Sequence, residues 1–320
     1  MKFSLGKWLK RLFYLFLFLF ISTNFVLYNH AYYFTHFVDK DLPKITSQTI
    51  AAKSMMEKLK LGIFGIEMPK PRNKVTPDSA YTVITLGRQP KLHAWMIPTH
   101  LAPKGVMILF HGYTGSKSSL LDRAKVFRKL GYHTFLVDSR GHGDSEGLQT
   151  TIGYHESEDV QTAYNYIKLH YENLPISFFG TSMGAVSILK AIHDYQLEAK
   201  KLILECPFRS LSDAVYSRFE NLKIPTFVLP ELLLFWGGIQ NNMDSKAHNS
   251  LDYASKVTLP TLVIYGKQDP KVRRHEVDDI FNALASTEKN FVLLEHSGHD
   301  HLMADDVLGW TKEVWAFLDS

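Results

Sequence analysis

The sequence is short of the residues from which several classes of site are built. It contains one cysteine, Cys206, among 320 residues, so no disulfide forms within the chain and no set of thiolates is present for a cysteine-based zinc site. We expect Cys206 to be a small buried side chain. Internal repeats and low-complexity tracts are also lacking.

The sequence has little imbalance of charge. Its formal net charge is +4, and Lys2, Lys7, Lys10 and Arg11 account for all of it. A nucleic-acid-binding surface needs a basic excess, so we predict no nucleic-acid partner. With 45% hydrophobic residues, the chain is long enough to bury a large core, and we expect one catalytic domain with an N-terminal appendage.

The first 30 residues differ from the rest. The uncharged run at residues 12–28, at ~1.5 Å per residue, nearly spans a hydrocarbon core of ~30 Å. We predict a membrane anchor at residues 1–30, with the basic end cytoplasmic and the remaining chain on the other side. A cleaved signal peptide is the alternative, although no clean Ala-x-Ala-like site follows. A chain lacking residues 1 to about 30 is expected to be soluble and active.

Residues 31–79 are interpreted as a stalk with one helix-like patch at 47–61, and residues 80–320 as the catalytic domain. Residues 81–86 and 92–97 predict an antiparallel hairpin. Apolar strands then alternate with helices to the C-terminus, which predicts a mostly parallel sheet with helices on both faces. The predicted strands are 105–110, 134–137, 176–179, 201–205, 261–265 and 290–294, and the main helices are 118–130, 154–170, 185–192, 274–285 and 305–318.

Residues 207–254 interrupt this alternation. The segment is apolar, contains Pro230, Gly237 and Gly238, and lies between two strands of the sheet. A strandless insertion of this composition predicts a small helical lid. The alternative is a segment that packs against the core or the membrane.

The run Gly180-Thr181-Ser182-Met183-Gly184 follows a strand and precedes a helix. This order is typical of a nucleophile elbow, where very small residues two before and two after the serine allow a tight turn. Ser182 is therefore the candidate nucleophile. The backbone N–H of Met183, at the start of the helix, is a candidate donor to an oxyanion.

A serine needs a histidine as base and an acid that orients the histidine. Because functional groups of parallel sheets follow the carboxyl ends of strands, Asp269 and His299 are the predicted acid and base. The order Ser182, Asp269, His299 is that of the α/β-hydrolase triad. The second oxyanion donor is expected to be the backbone N–H of Tyr113, after the first parallel strand.

Other ionisable residues have competing interpretations. His296 and His301 flank His299 and could form a metal cluster with it, but the serine elbow would then be unexplained. We expect them to be surface or lid-contacting residues. His111 is expected to have a structural hydrogen-bonding role, and residues 138–145 to form a hydrogen-bonded turn beside the site.

Five motifs together resemble the α/β-hydrolase superfamily, in particular its serine aminopeptidase-like and monoacylglycerol lipase-like branch. They are His-Gly-Tyr-Thr-Gly at 111–115, Asp-Ser-Arg-Gly-His-Gly-Asp-Ser at 138–145, the serine elbow, Gly-Lys-Gln-Asp at 266–269 and Ser-Gly-His at 297–299. The resemblance covers residues 80–320. It implies an eight-stranded sheet, a lid after strand six, and an acyl-enzyme mechanism without metal or cofactor. The anchor and short lid resemble membrane-anchored bacterial members.

The substrate stays open between lipid esters, other carboxylic esters, thioesters and peptides. An apolar lid near a membrane favours a carboxylic ester with a medium or long acyl chain. A serine aminopeptidase is the runner-up, and its buried acid for the substrate amine would be Glu205 or Glu231. A non-catalytic binding or scaffold protein on the same fold is disfavoured because the elbow, acid and base are intact.

Overall fold

The computed structural model describes residues 5–42, 49 and 52–320. The predicted α/β-hydrolase fold with an eight-stranded sheet is confirmed. The strands of the sheet are β1 (Thr82–Leu86), β2 (Leu92–Ile97), β3 (Gly105–Phe110), β4 (Tyr132–Asp138), β5 (Ile176–Thr181), β6 (Leu202–Glu205), β7 (Thr261–Gly266) and β8 (Lys289–Leu294). The helices are α1 (Leu5–Thr35), α2 (Met55–Phe64), α3 (Leu121–Lys129), α4 (Glu156–His170), α5 (Met183–Tyr195), α6 (Leu211–Asn221), α7 (Leu229–Asn241), α8 (Ser250–Ala254), α9 (Arg274–Ala283), α10 (Leu302–Asp305) and α11 (Val307–Asp319), with a short 3-10 helix at Lys117–Leu120.

The strands lie in the order β1-β2-β4-β3-β5-β6-β7-β8. The β1–β2 pair is antiparallel, as the predicted hairpin requires. The β2–β4 pair is also antiparallel, and every other pair is parallel. Strands β3 and β7 are buried along their whole length, which agrees with their uninterrupted apolar sequences. The carboxyl ends of β3, β5, β6, β7 and β8 therefore meet at one edge of the sheet.

Two predicted helices have different bounds in the structure. The patch expected at 47–61 is helical from Met55, and its residues 47, 48, 50 and 51 lie outside the described residues. Ser54 begins α2 with a capping box, since its hydroxyl accepts from Glu57 N–H and the Glu57 carboxylate accepts from Ser54 N–H. The last predicted helix is divided at Asp306, whose side chain caps α11 by accepting from Gly309 N–H at 2.9 Å.

The insertion between β6 and β7 contains the helices α6, α7 and α8 and contributes no strand to the sheet. Its helical character agrees with the prediction, and whether it opens as a lid stays a prediction. We refer to residues 207–254 as the cap.

Helix α1 continues beyond the predicted anchor. Its 31 residues extend ~46 Å, and residues 6–35 are long and apolar enough to cross a membrane. Large apolar side chains at positions 8–21 are exposed, whereas Leu27 and Ala31 are buried against the catalytic domain. The second half packs along α7, where Trp236 Nε1 donates to Asn24 Oδ1 at 3.1 Å and Gln240 Nε2 donates to the Tyr28 carbonyl at 2.9 Å.

The chain after α1 is also attached to the domain, which the interpretation as a stalk did not indicate. Thr150 N–H donates to the Thr35 carbonyl at 2.8 Å, and Phe37 N–H donates to the Leu148 carbonyl at 2.6 Å. Residues 37–38 pair in parallel with residues 68–69. The bonds from Thr150 and to Leu148 therefore join residues 35–37 to the segment that follows β4.

A buried ion pair stabilises the turn at residues 138–145, directly after β4. Lys117 and Asp138 are fully buried and bonded to each other, and the Lys117 ammonium lies 4.5 Å from the centre of the Trp95 ring. Asp138 also accepts from the backbone N–H groups of Lys117 at 2.7 Å and Asp144 at 2.9 Å. Residues 138–145 therefore form a hydrogen-bonded structural turn, as expected.

We predict that Asp138→Ala lowers the free energy of unfolding by about 3 kcal/mol, because it leaves the fully buried Lys117 with only the half-exposed Asp144 as its counter-ion. The measurement is denaturant unfolding of the detergent-solubilised full chain, followed by circular dichroism. Lys125→Ala is the control, since it breaks the exposed Lys125–Asp78 pair and is expected to change nothing measurable. Equal stability of the two variants would contradict the assignment.

Candidate active site

The predicted elbow is a sharp turn between β5 and α5. Ser182 has φ 51° and ψ −113°, a conformation that L-residues rarely adopt, and α5 begins at the next residue. A Cβ atom on Gly180 would lie 2.6 Å from Ala185 N, and one on Gly184 would lie 2.3 Å from the Phe110 carbonyl oxygen. Glycine is therefore required on both sides of Ser182 by close packing.

Glu205, at the end of β6, is hydrogen-bonded to two residues of the elbow, Thr181 and Ser182. Its carbonyl accepts from Ser182 N–H at 2.8 Å. Its fully buried carboxylate accepts from Trp310 Nε1 at 2.6 Å, Thr181 Oγ1 at 3.0 Å and Arg123 Nη2 at 3.1 Å. Because its carboxylate is paired with Arg123 and bonded to Thr181 and Trp310, Glu205 has a structural role in stabilising the elbow.

Asp269 and His299 form a hydrogen-bonded pair at the same edge of the sheet. His299 Nδ1 donates to Asp269 Oδ2 at 2.6 Å. The second Asp269 oxygen accepts from the backbone N–H groups of Lys271 at 2.7 Å and Val272 at 3.0 Å. The Asp269 side chain is fully buried and that of His299 is 9% exposed, so the acid is fixed while the outer edge of the imidazole is accessible.

Two of the three predicted catalytic residues, Asp269 and His299, are directly hydrogen-bonded in the structure. Among the hydrogen bonds of the described residues, none connects Ser182 Oγ with His299. Catalytic hydrogen bonds of this kind are often long before substrate binds.

Cys206 lies beside the acid–base pair, and its sulfur, a carboxylate oxygen of Asp269 and a ring nitrogen of His299 lie within 4.8 Å of one another. Burial raises the pKa of the Cys206 thiol well above its ordinary value, so the group is a protonated thiol. The Asp269 and His299 members of this group are hydrogen-bonded to each other. Cys206 is a small buried side chain, as predicted.

The loop after β3 packs against the elbow. A Cβ atom on Gly112 would lie 3.4 Å from the Thr181 carbonyl oxygen and 3.5 Å from Ser182 Cβ. Tyr113 is the next residue, and in the described part of the chain its backbone N–H has no acceptor. Met183 is the first residue of α5, where backbone N–H groups lack intrahelical partners. Of the two predicted oxyanion donors, Met183 is the next residue after Ser182, and Tyr113 is the next residue after Gly112, which packs against Ser182.

The other histidines have the expected roles. His111 Nε2 accepts from Ser139 N–H at 3.1 Å and its Nδ1–H donates to the Gly112 carbonyl at 2.9 Å, which fixes the neutral tautomer. Burial lowers the pKa of His111 and so disfavours its charged form. His296 and His301 are exposed, and among the described residues they form no cluster of metal-ligating atoms with His299.

A narrow apolar cavity lies between α1, α6 and α7. Its empty volume is about 300 Å³ and is partly open to solvent. It is lined by Ala31, Phe34, Thr35, Ile152, Leu211, Val215, Leu233, Leu234, Gly237, Met243 and Ser245. The sequence analysis did not place α1 here. The available signal was the recurrence of Leu27, Ala31 and Thr35 at helical spacing, after polar residues at 22–24 that end the strongest apolar run.

The sheet order and the serine elbow define an α/β hydrolase. Residues 102–252, a little under half of the chain, match the sequence family described as serine aminopeptidase, S33. The resemblance to the α/β-hydrolase superfamily stated from the sequence motifs is confirmed, and the family match supports a hydrolase.

Several known proteins are similar to the chain. The YqkD protein of Bacillus subtilis is 24% identical over 259 residues, which are 76% of this chain and 84% of that protein. The lysophosphatidylserine lipase ABHD12 of Danio rerio is 26% identical over 194 residues, or 58% of this chain and 48% of the lipase. The chain thus spans about half the length of the lipase relatives it matches. The Pyrococcus furiosus esterase Pf2001 superposes with a TM-score of 0.67 at 24% identity, over 78% of this chain and 96% of the esterase.

The packing of α1 revises the expected effect of truncation. Removal of residues 1–22 is predicted to give a soluble chain that keeps the stability and activity of the full-length protein. Removal of residues 1–36 takes away Ala31, Phe34 and Thr35 from the cavity wall and is predicted to lower the Tm and the turnover of long-chain esters.

Sedimentation after a high-salt wash, thermal unfolding and ester turnover of both truncations test this prediction. The full-length chain is expected to stay with the membranes. Equal stability and activity of the two truncations would contradict a structural role for residues 23–36.

Proposed function

We propose that the protein is a serine hydrolase that cleaves carboxylic esters through an acyl-enzyme. Ser182 is the nucleophile, His299 the general base and acid, and Asp269 the residue that orients His299. The observation that carries the proposal is the 2.6 Å bond between His299 and a fully buried Asp269, at the sheet edge where the Ser182 elbow also ends. Two further backbone bonds to Asp269 keep its carboxylate in the orientation that His299 needs.

In the proposed mechanism, Ser182 Oγ attacks the ester carbonyl carbon and its proton passes to His299 Nε2. The carbonyl oxygen becomes an oxyanion, which the N–H groups of Tyr113 and Met183 bind. Collapse of the tetrahedral intermediate expels the alcohol, which takes the proton from His299. A water molecule, deprotonated by His299, then attacks the acyl-enzyme and releases the acid and free Ser182.

An acyl or lipid ester is the substrate class that the surroundings of the site favour. The cavity is lined mainly by apolar side chains, and its wall includes Phe34 of the N-terminal helix, whose ring lies 5.4 Å from the Tyr113 ring. The similarity to a lysophosphatidylserine lipase and to an esterase supports the same class. We propose a preference for medium or long acyl chains, since these bury more apolar surface in the cavity.

Aminopeptidase activity is the second candidate, because the matched family carries that description. A free substrate amine needs an unpaired acid near the site. Glu205 is bonded to Arg123, and Glu231 is bonded to Lys246 at 2.5 Å and to Tyr216 at 3.0 Å. Both acids suggested by the sequence have a cation already, which favours the ester over the peptide.

The proposed location follows from α1. Its exposed apolar half is suited to a lipid bilayer, and its basic start favours a cytoplasmic N-terminus with the catalytic domain on the other side. In this arrangement the cap and the cavity lie close to the membrane surface, where lipid esters are present.

We predict that a fluorophosphonate labels the wild-type protein and does not label Ser182→Ala, because the reagent needs an activated serine. Asp269→Asn is expected to lower kcat by about 10⁴-fold, since His299 then loses the acceptor that fixes its tautomer. Mass spectrometry of the labelled peptide and turnover of p-nitrophenyl esters are the measurements. Strong labelling of Ser182→Ala would refute the role of Ser182, and the absence of labelling and turnover in folded wild-type protein would favour a scaffold.

A second prediction concerns the scissile bond. We expect turnover of p-nitrophenyl esters to rise from short to medium or long acyl chains, with little turnover of aminoacyl amides. Glu231→Gln tests the alternative of an amine-binding acid. We expect it to leave ester kcat/KM unchanged, because the Glu231 carboxylate is paired with exposed Lys246. Amide turnover faster than that of every ester, and lost in Glu231→Gln, would contradict the ester assignment. Acyl thioesters of equal chain length, tested beside the esters, separate an esterase from a thioesterase.

A further inference from the structure

One arginine near the candidate site lacks the partner that its neighbours have. In the described catalytic domain, Arg123, Arg140, Arg209, Arg273 and Arg274 all pair with carboxylates. Arg218, on α6, has neither an ion pair nor a hydrogen bond from its guanidinium among the described residues. The acids nearest to it on α6 are occupied, since Asp213 pairs with Arg209 and Glu220 pairs with Arg273.

The position of Arg218 links it to the cavity. It lies one turn beyond Val215 and two turns beyond Leu211 on the same side of α6, and both of these residues line the cavity. Its guanidinium carbon lies 4.1 Å from the centre of the Phe34 ring, and Phe34 lines the cavity from α1. Arg218 therefore lies at the rim of the cavity, where α6 faces the N-terminal helix.

Arg218 is also connected to the candidate oxyanion loop. The Phe34 ring that it covers lies 5.4 Å from the Tyr113 ring, and the Tyr113 hydroxyl donates to the Phe34 carbonyl at 2.7 Å. Gly112, next to Tyr113, packs against Ser182. A continuous line of contacts thus leads from Ser182 through Gly112, Tyr113 and Phe34 to Arg218.

The side chain of Arg218 is exposed beside the Phe34 ring, which lines the apolar cavity. Solvent reaches the side chain, while the surrounding protein lowers the pKa of its guanidinium by desolvation. An exposed guanidinium without a counter-ion among the described residues is available to bind an anion. The planar fork of arginine bonds two oxygens of a phosphate or carboxylate at once.

We propose that Arg218 binds a phosphate or carboxylate group of an amphiphilic ester whose apolar chain occupies the cavity between α1, α6 and α7. The inference rests on the proposed ester hydrolysis and assigns its substrate a negative charge. Phe34 has two roles in this site, since its ring contacts Arg218 on α6 and also lines the apolar cavity. The N-terminal helix is in this way part of the binding site as well as a candidate anchor.

The kinetic test compares two esters with the same acyl chain, a monoacylglycerol and a monoacylglycerol phosphate, in neutral detergent micelles. Arg218→Gln is expected to lower kcat/KM for the phosphate ester by roughly 10- to 100-fold and to leave the neutral ester within about twofold. Arg218→Lys, which keeps the charge and loses the fork, should restore part of the selectivity. The matched control is Arg88→Gln, because Arg88 is an exposed arginine in the β1–β2 turn and is also without an ion pair in the described structure.

Equal losses on both esters, or no loss on either, would overturn the proposal. The anion has a second possible source, the headgroups of the membrane surface. If Arg218→Gln matters only with vesicles that contain anionic lipid, and then equally for both esters, the surface is the source and the substrate assignment is wrong.

A binding measurement separates this proposal from the proposed function. Calorimetry of dodecyl phosphate and of a neutral dodecyl glycoside with Ser182→Ala protein needs no turnover. The phosphate is expected to bind about tenfold or more tightly than the glycoside, and Arg218→Gln in the same background should abolish the difference. This result would stand even if ester hydrolysis failed, whereas equal affinities would refute the anion site while leaving hydrolysis intact.

Discussion

The strained turn at Ser182 is the constraint on which the centre of the molecule depends. A non-glycine residue with φ 51° and ψ −113° costs of order 1–3 kcal/mol, so the surrounding structure must fix it. Glu205 contributes its carbonyl to Ser182 N–H, and its carboxylate connects Thr181, Arg123 and Trp310. The end of β6 therefore stabilises the end of β5 and also joins it to helices α3 and α11.

The same network explains why an acid near a serine elbow need not bind substrate. A buried carboxylate is stable when a cation and several donors share its charge, and Glu205 has Arg123 and two neutral donors. If Glu205 held a substrate amine, Arg123 would lose its partner and the elbow would lose a support. The matched family is described as serine aminopeptidase, but that description alone does not make Glu205 a binding residue for a substrate amine.

The sequence predicted those features that local chemistry determines. The elbow was predictable because a Cβ atom on Gly180 or Gly184 would lie less than 3 Å from neighbouring atoms, which leaves glycine as the residue that fits. Asp269 and His299 were predictable because each follows the end of a strand whose last residues are mainly apolar. The bond between Asp269 and His299 agrees with that prediction, while the catalytic roles stay proposals. The eight-stranded sheet was predicted from the resemblance of the motifs rather than from periodicity, and the order of the strands was not predicted.

Contacts between distant segments were not predictable in this way. Residues 24–35 contain apolar and aromatic side chains interspersed with Asn24, Asn29 and His30, and this composition did not distinguish a membrane segment from a helix that packs on α7. Arg218 was missed for a related reason. An arginine on an amphipathic helix is usually a solvated residue, and its lack of a partner is visible only when the neighbouring acids are seen to be occupied.

The position of α1 has a consequence for how substrate reaches the site. One helix carries exposed apolar side chains at positions 8–21 and, two to three turns later, Ala31 and Phe34 in the cavity wall. Because a helix transmits position rigidly along its axis, a bilayer that holds the first half also fixes the distance of the cavity from the lipid headgroups. The hydrogen bonds from α7 to Asn24 and Tyr28 tie the cap to the same helix. If a bilayer holds α1 as proposed, separation of α6 and α7 from α1 would widen the cavity, so an amphiphile could enter with its chain leading and its charged group left at Arg218.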